Sequence, residues 1–185
     1  MKKITCLFLF AAFLMLSCVP AFAAEKSPTK KMTYDEIIKE YNLKPVTEIP
    51  KGVKPIEVNS EEELLQLLQN LEKETYISEP IITTFASSNY IADEYNIMGV
   101  AKIVLYVRVE TNNYRVTDAK AYSKLTGLTA GLEWVPIDED CRILSNGKDV
   151  KAWSYGVLNH YILVNGLLKM YSKDIDLEGY LTIFH

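Results

Sequence analysis

The strongest constraint on the fold is a run of alternating apolar side chains in the middle of the chain. The five apolar residues that stand two apart are Ala101, Ile103, Leu105, Val107 and Val109. Successive side chains of a β-strand point to opposite faces, so this run predicts a long strand with one buried face and one half-exposed face. Residues 111–114 are of types that favour a turn, and residues 115–124 are expected to form the return strand. Together they predict a hairpin within 97–124.

Further hairpins are predicted after the central one. Asn146-Gly147 and Asn165-Gly166 are the residue pair that a type I′ turn favours, because both of its central positions need positive φ. From Ile175 to Ile183 apolar residues alternate with polar ones, which predicts a closing strand. Residues 138–140 are interpreted as an acidic turn between strands, and Gly127–Gly131 as a loop or bulge. About seven or eight strands are expected after residue 97, at the spacing typical of sandwiches and barrels.

Two helices are predicted before these strands. Thr33 followed by Glu36 has the spacing of a capping box, in which each residue satisfies a free backbone N–H of the other. Ser60 with Glu63 repeats that spacing, and leucines on one face extend this second helix over about 60–74. The predicted fold class is therefore α+β: a mainly antiparallel β-sandwich or partly open barrel with two short N-terminal helices.

The chain divides into three parts on these grounds. The predicted parts are a signal peptide at 1–23, a flexible leader at 24–32 and a single domain at 33–185. Within the domain we expect a helical part over 33–74 and a β-sandwich over about 75–185. Ile56–Val58 is expected as a short strand, 75–85 as a β-prone segment that Pro80 confines to an edge, and 86–95 as a loop.

Export is predicted from the first residues. Lys2 and Lys3 provide a positive start, residues 4–20 form an apolar run, and Ala21-Phe22-Ala23 has the small-x-small form of a cleavage site. A retained membrane anchor is the alternative, although the run is slightly shorter than the ~20 residues of a spanning helix. Lipidation at Cys18 is a second alternative. We expect a secreted protein, extracellular or associated with the cell wall.

The net charge limits the classes of partner that we expect, and the cysteine content limits the disulfides. The formal net charge is −4, which offers no global attraction for nucleic acid or anionic lipid, and no membrane contact is expected after signal cleavage. Cys141 is the one cysteine outside the predicted signal peptide, so no internal disulfide is expected and the apolar core must stabilise the domain.

Catalytic and metal-binding patterns are sparse. Cys141 with His160 is the one conceivable nucleophile and base, but a small thiol in an apolar alternation is more often buried and idle. The carboxylates of residues 138–140 suit Ca²⁺ in kind, yet three consecutive side chains do not converge on one ion. No phosphate loop and no paired histidines are present, and we expect no catalytic residue, no metal and no cofactor.

Aromatic residues supply the one candidate binding surface. Trp134, Trp153 and Tyr155 are expected to come together, because the hairpin at residues 146–147 returns Trp153 towards the strand that holds Trp134. Aromatic side chains on a sheet bind sugars or peptides by stacking, although they are also ordinary strand residues. We treat the three residues as a candidate ligand-binding group.

The C-terminal quarter carries one resemblance. Tyr161-Ile162-Leu163-Val164-Asn165-Gly166, then Tyr171-Ser172 and Leu177-Glu178-Gly179, resemble the tails of small exported β-rich proteins of Gram-positive bacteria. The resemblance implies export and a β-rich fold, with no activity and no site. The leading hypothesis is a secreted, non-enzymatic binding module for a cell-wall polymer, a surface protein or a sibling subunit. The alternatives are a hydrolase whose carboxylates meet only in three dimensions, and an assembly component that pairs through strand edges.

Overall fold

The computed structural model describes residues 32–73 and 89–182. The predictions that fall outside these residues are those for the signal peptide 1–23, Cys18, the leader before Met32 and the segment 75–85. Neither helix in the described part of the chain has the length and apolarity that crossing a bilayer requires.

The described residues are mostly β, with strands making up 61% of them and two helices besides. The helices are α1 (Tyr34–Glu40) and α2 (Glu61–Glu72). The strands are β1 (Lys44–Pro45), β2 (Ile56–Val58), β3 (Asn89–Ile97), β4 (Ala101–Asn112), β5 (Arg115–Gly127), β6 (Leu132–Ile143), β7 (Asp149–Val164) and β8 (Leu167–Thr182). The short strands β1 and β2 lie between the two helices in sequence, so helices and strands are not successive blocks.

The strands form two sheets. The three-stranded sheet is antiparallel in the order β3-β4-β5. In the five-stranded sheet β8 lies between β1 and β7, and the other edge of β7 pairs with β6 and then with β2. This second sheet is mixed, because β2 runs parallel to residues 162–164 of β7 while the other pairs are antiparallel.

Both helix starts and the central hairpin are confirmed. Thr33 and Glu36 make the reciprocal capping box of α1, and the Ser60 hydroxyl caps α2 by accepting the backbone N–H of Glu63 at 3.1 Å. All five apolar residues of the alternating run in β4 are buried. β4 and β5 are joined by Asn113 and Tyr114, which both have positive φ, as a two-residue turn with the strand twist requires.

The two Asn-Gly turns have different outcomes. Asn165 and Gly166 have φ of 49° and 76° and join β7 to β8 as predicted. The type I′ turn predicted at residues 146–147 is wrong, because only Gly147 has positive φ there. The Asn146 side-chain oxygen instead accepts the backbone N–H groups of Lys148 at 2.9 Å and Asp149 at 3.0 Å, which stabilises a longer loop.

Two segments predicted as loop or turn are strand, and in both a β-bulge hides the alternation. The loop predicted at 86–95 is wrong from Asn89 onward, since β3 begins there and its register shifts between Ile91 and Asp93. The acidic turn predicted at 138–140 is also wrong, since these residues lie within β6, whose register shifts between Pro136 and Asp138. A bulge adds one residue to one strand and reverses which residues face inward.

The predicted number of strands after residue 97 is too high. β4 to β8 are the strands that the structure describes there, because β6, β7 and β8 each unite two predicted strands. Gly156 lies inside β7, at the position where the sequence predicts a break between two strands. A Cβ at this position would come within 2.6 Å of the Trp134 ring, so the glycine makes room for the indole.

Two hydrophobic cores share β7. The first lies between the two sheets and includes Leu105, Leu158 and Leu177, all fully buried. The second lies between the helices and the end of β7 and includes Leu64, Leu68 and Ile162. Leu158 and Ile162 point to the same face of β7, so one strand face is covered first by the three-stranded sheet and then by the helices.

Buried or half-buried carboxylates join the sheets along two seams. At the seam of β3 and β8, the Asp93 carboxylate accepts the backbone N–H of Glu178 at 3.0 Å, and Gly179 packs directly against Ala92. Burial raises the pKa of Asp93 to about 6, although the hydrogen bonds that it accepts oppose this rise.

The second seam joins β5 to β6. The Glu139 carboxylate accepts hydrogen bonds from the backbone N–H of Ser123 at 2.5 Å, from the Ser123 hydroxyl and from the buried Ser154 hydroxyl. Trp134 donates its indole N–H to the Ser123 oxygen at 2.7 Å. Glu139 is therefore held by structural hydrogen bonds between the sheets.

Candidate binding surface

The outer face of the five-stranded sheet carries two aromatic residues between two lines of carboxylates. Trp153 and Tyr155 alternate along β7 with the buried residues Ala152 and Ser154, so they point away from the core. The group that we call the acidic aromatic face consists of Trp153, Tyr155, Asp138, Asp140, Asp174, Asp176 and Glu178. All five of these carboxylate residues are exposed.

Strand register places each aromatic side chain between two carboxylates. Tyr155 lies opposite Asp138 of β6 and Asp176 of β8. Trp153 lies opposite Asp140 of β6 and Glu178 of β8 in the same way. Directly paired residues have Cβ atoms about 5 Å apart, so each ring has a carboxylate on both sides within reach of one ligand group.

The cross-strand pair of Lys151 and Tyr180, which lies next to the Trp153 row on this face, shows how the face holds a cation. Lys151 places its ammonium 2.8 Å from a carboxylate oxygen of Glu178 and 5.4 Å from the centre of the Tyr180 ring. The hydrogen bond to Glu178 raises the pKa of Lys151 and lowers the pKa of Glu178. A positive amine is thus bound by a carboxylate and an aromatic ring together.

Apolar side chains continue the face along β6 and β7. Tyr155 is 38% exposed and Val135 40% exposed, and the bulge residue Ile137 is 61% exposed. Val135 pairs with Val157 of β7, which in turn lies opposite Asp174 of β8. Exposed apolar groups that are rimmed by charge are typical of interaction surfaces.

The three aromatic residues expected to meet are divided between two faces. Trp153 and Tyr155 share the outer face, and the Trp153 indole N–H donates to the Asp138 carboxylate at 3.2 Å. Trp134 pairs with the buried Leu158 on the inner face and packs against the first core. The bulge between Pro136 and Asp138 separates them, because it reverses the facing of β6.

Cys141 and His160 lie far apart and do not form a nucleophile pair. Cys141 lies opposite Ala152, eight residues along β7 from His160, which corresponds to about 26 Å. Burial raises the pKa of the Cys141 thiol, so the reactive thiolate is disfavoured. The partly buried thiol packs against the first core.

His160 is buried at the junction of the two cores. Its ring is 5.6 Å from that of Tyr171, and neither ring nitrogen has a hydrogen-bond partner within residues 32–73 and 89–182. Burial lowers the pKa of His160 to about 4, which the nearby backbone of Tyr171 opposes. A neutral ring enclosed by packed side chains has no access to a substrate.

The acidic run on β6 does not gather its carboxylates. Glu139 points inward to the seam, while Asp138 and Asp140 point to the outer face. Across the part of the chain that the structure describes, no three His, Cys, Asp or Glu side chains are placed to hold a metal ion.

Sequence reasoning did not connect the carboxylates of β8 to the aromatic residues. Asp174, Asp176 and Glu178 stand two apart, which marked them as the outer face of a strand. The missing information was that β8 lies beside β7, because strand order depends on contacts between residues distant in sequence.

No family model, no curated protein and no solved structure matches this chain. The geometry of the acidic aromatic face therefore has to be interpreted from its own side chains.

Proposed function

We propose that this chain is an exported β-sandwich protein that acts outside the cell as a binding module, without catalytic activity of its own. The binding surface is the acidic aromatic face, and the partner belongs to the cell wall or the cell surface. The single observation that carries the proposal is the pair of rows in which Trp153 and Tyr155 each stand between two carboxylates.

Three further features support the proposal. The two sheets share one apolar core, as the layers of a sandwich do, and the seams at Asp93 and Glu139 stiffen the sheet on which the face lies. A rigid sheet presents its side chains at fixed spacing, which lowers the entropic cost of binding. The predicted signal peptide at residues 1–23 would deliver the domain outside the cell.

The test is a binding assay with the chain that begins at Ala24 and with purified cell walls and surface proteins of a Gram-positive bacterium. Tyr155→Ala should lower the bound fraction, because the ring would contribute both contact area and cation–π attraction. Tyr122→Ala is the matched control, because Tyr122 is 37% exposed on the three-stranded sheet and Tyr155 is 38% exposed.

Circular dichroism should show that both variants retain the β fold. The proposal is contradicted when the unaltered protein binds neither fraction. It is equally contradicted when both tyrosine variants lose the same share of binding.

A further inference from the structure

The acidic aromatic face already holds one cation of its own, and this defines the chemistry that its other rows offer. Lys151 rests between the Glu178 carboxylate and the Tyr180 ring, at 2.8 Å and 5.4 Å. Within the described residues, the ion pairs are this one and Lys102–Glu94 on the three-stranded sheet. The row around Tyr155 repeats the combination of ring and carboxylates, and among the described residues no lysine or arginine pairs with Asp138 or Asp176. In the row around Trp153, Glu178 is shared with Lys151 and Asp140 has no such ion pair.

The rows are spaced like alternate residues of an extended chain. Trp153, Tyr155 and Val157 follow one another at every second position of β7, which puts them about 6.6 Å apart. A ligand strand lying along β7 points every second side chain towards the sheet, with that same period. The first two side chains that point towards the sheet each reach a ring between two carboxylates. The third reaches the apolar pair Val135 and Val157.

We propose that the occupant of the acidic aromatic face is an extended basic segment of a partner protein. The segment carries Lys or Arg at two alternate positions and an apolar residue at the next alternate position. This inference rests on the proposed function and names the class of its partner.

Charge complementarity selects this occupant. Five carboxylates line the face against two basic residues, Lys151 and Arg142, so a cationic chain is attracted. The same charges repel phosphate-bearing wall polymers. Because a ring separates the two carboxylates of each row, the row suits an ammonium or guanidinium group better than a small metal ion.

The experiment uses two fluorescent peptides with the chain from Ala24 onward. One is Ser-Lys-Thr-Lys-Thr-Val-Ser, and the other is its isomer Ser-Lys-Lys-Thr-Thr-Val-Ser, with adjacent lysines. The alternating peptide should bind about tenfold more tightly, because only its lysines reach both rows from one face. Its affinity should fall as salt is raised, since the attraction is between exposed charges.

The double variant Asp138→Asn with Asp176→Asn removes both carboxylates beside Tyr155 and should weaken the alternating peptide about five- to tenfold. Glu110→Gln with Asp118→Asn is the matched control. These two carboxylates are likewise exposed and paired across strands, but they lie on the three-stranded sheet. Less than about a twofold change is expected for this control.

Equal binding of the two isomers overturns the proposed spacing. When neither peptide binds but Tyr155→Ala still lowers binding to cell-wall or surface material, the proposed function stands and this inference fails. When Tyr155→Ala has no effect either, both fail. Equal weakening by the two double variants shows a general charge effect and also overturns the inference.

Discussion

At the scale of single residues, Asp93 and His160 are the two side chains that combine burial with titration in mild acid among the described residues. Asp93 is 1% exposed and His160 is fully buried. Burial disfavours the charged form of both, so it raises the pKa of the acid to about 6 and lowers that of the base to about 4. The two groups therefore change the free energy of unfolding in opposite directions over the same pH range.

Asp93→Asn should remove the decrease in the free energy of unfolding that Asp93 causes as the pH rises through about 6. The folded state holds the proton of Asp93 more tightly than the unfolded chain, whose pKa is about 3.9. Its contribution is fully present below about pH 4 and is lost as the pH rises through about 6, which amounts to about 3 kcal/mol in all and about 2 kcal/mol between pH 4.5 and 7.5. Urea unfolding at pH 4.5 and 7.5 measures this. Asp118→Asn, which changes an exposed residue, should leave the slope as it is.

His160→Phe should remove the opposite contribution, by which the free energy of unfolding falls as the pH is lowered. The unfolded chain binds a proton near pH 6.5 and the folded state only near pH 4, so this contribution is present above about 6.5 and lost in acid. A phenyl ring fills the same apolar space without titrating. The same urea experiment should show a variant that loses less stability than the unaltered protein between pH 7.5 and 4.5. A larger loss would contradict the buried, neutral state of His160.

At the scale of secondary structure elements, the contact between β3 and β8 depends on a glycine. Gly179 lies where a Cβ would collide with the backbone carbonyl of Ala92, and backbone cannot move aside as a flexible side chain does. The same seam holds the hydrogen bond from the Glu178 N–H to Asp93. The close approach of β3 and β8 thus helps to hold the two sheets together around the core.

Gly179→Ala should destabilise the domain by about 2 to 3 kcal/mol, because the added methyl forces the two strands apart. Thermal unfolding followed by circular dichroism provides the measurement. Asp176→Ala is the control on the same strand, since Asp176 is exposed on the opposite face and its loss should change stability by less than about 0.5 kcal/mol. Similar losses in both variants would contradict the close seam.

At the scale of the whole domain, β7 links the core between the sheets to the core beneath the helices. Leu158 belongs to the first and Ile162 to the second, and both lie on one face of the same strand. Unfolding of either core therefore deprives β7 of part of its packing. We expect the described domain to unfold as one unit.

Leu68→Ala tests this coupling from the helical side. Leu68 is fully buried in the second core, and its truncation should cost about 3 kcal/mol. Helix loss is followed by far-ultraviolet circular dichroism and sheet loss by the fluorescence of Trp134 and Trp153, both in the five-stranded sheet. The two urea transitions should shift together. A helical transition that precedes the fluorescence change would contradict a single unit.

Much of the local structure could be predicted from the sequence. The buried face of β4, the caps of both helices and the turn at Asn165-Gly166 are each determined by residues a few positions apart. The predictions failed at the bulges of β3 and β6, where one extra residue reverses the alternation. A bulge is stabilised by contacts across the sheets, so its position is weakly encoded in the local pattern.

Local sequence is enough to specify which residues form extended segments and which side chains within a regular run share a face, because the backbone geometry of a strand requires alternation. Long-range packing is what places Trp153 and Tyr155 each between carboxylates of two other strands and turns Trp134 towards the core. Strand order and register depend on the packing of side chains that are distant in the chain, so the candidate surface exists only after folding.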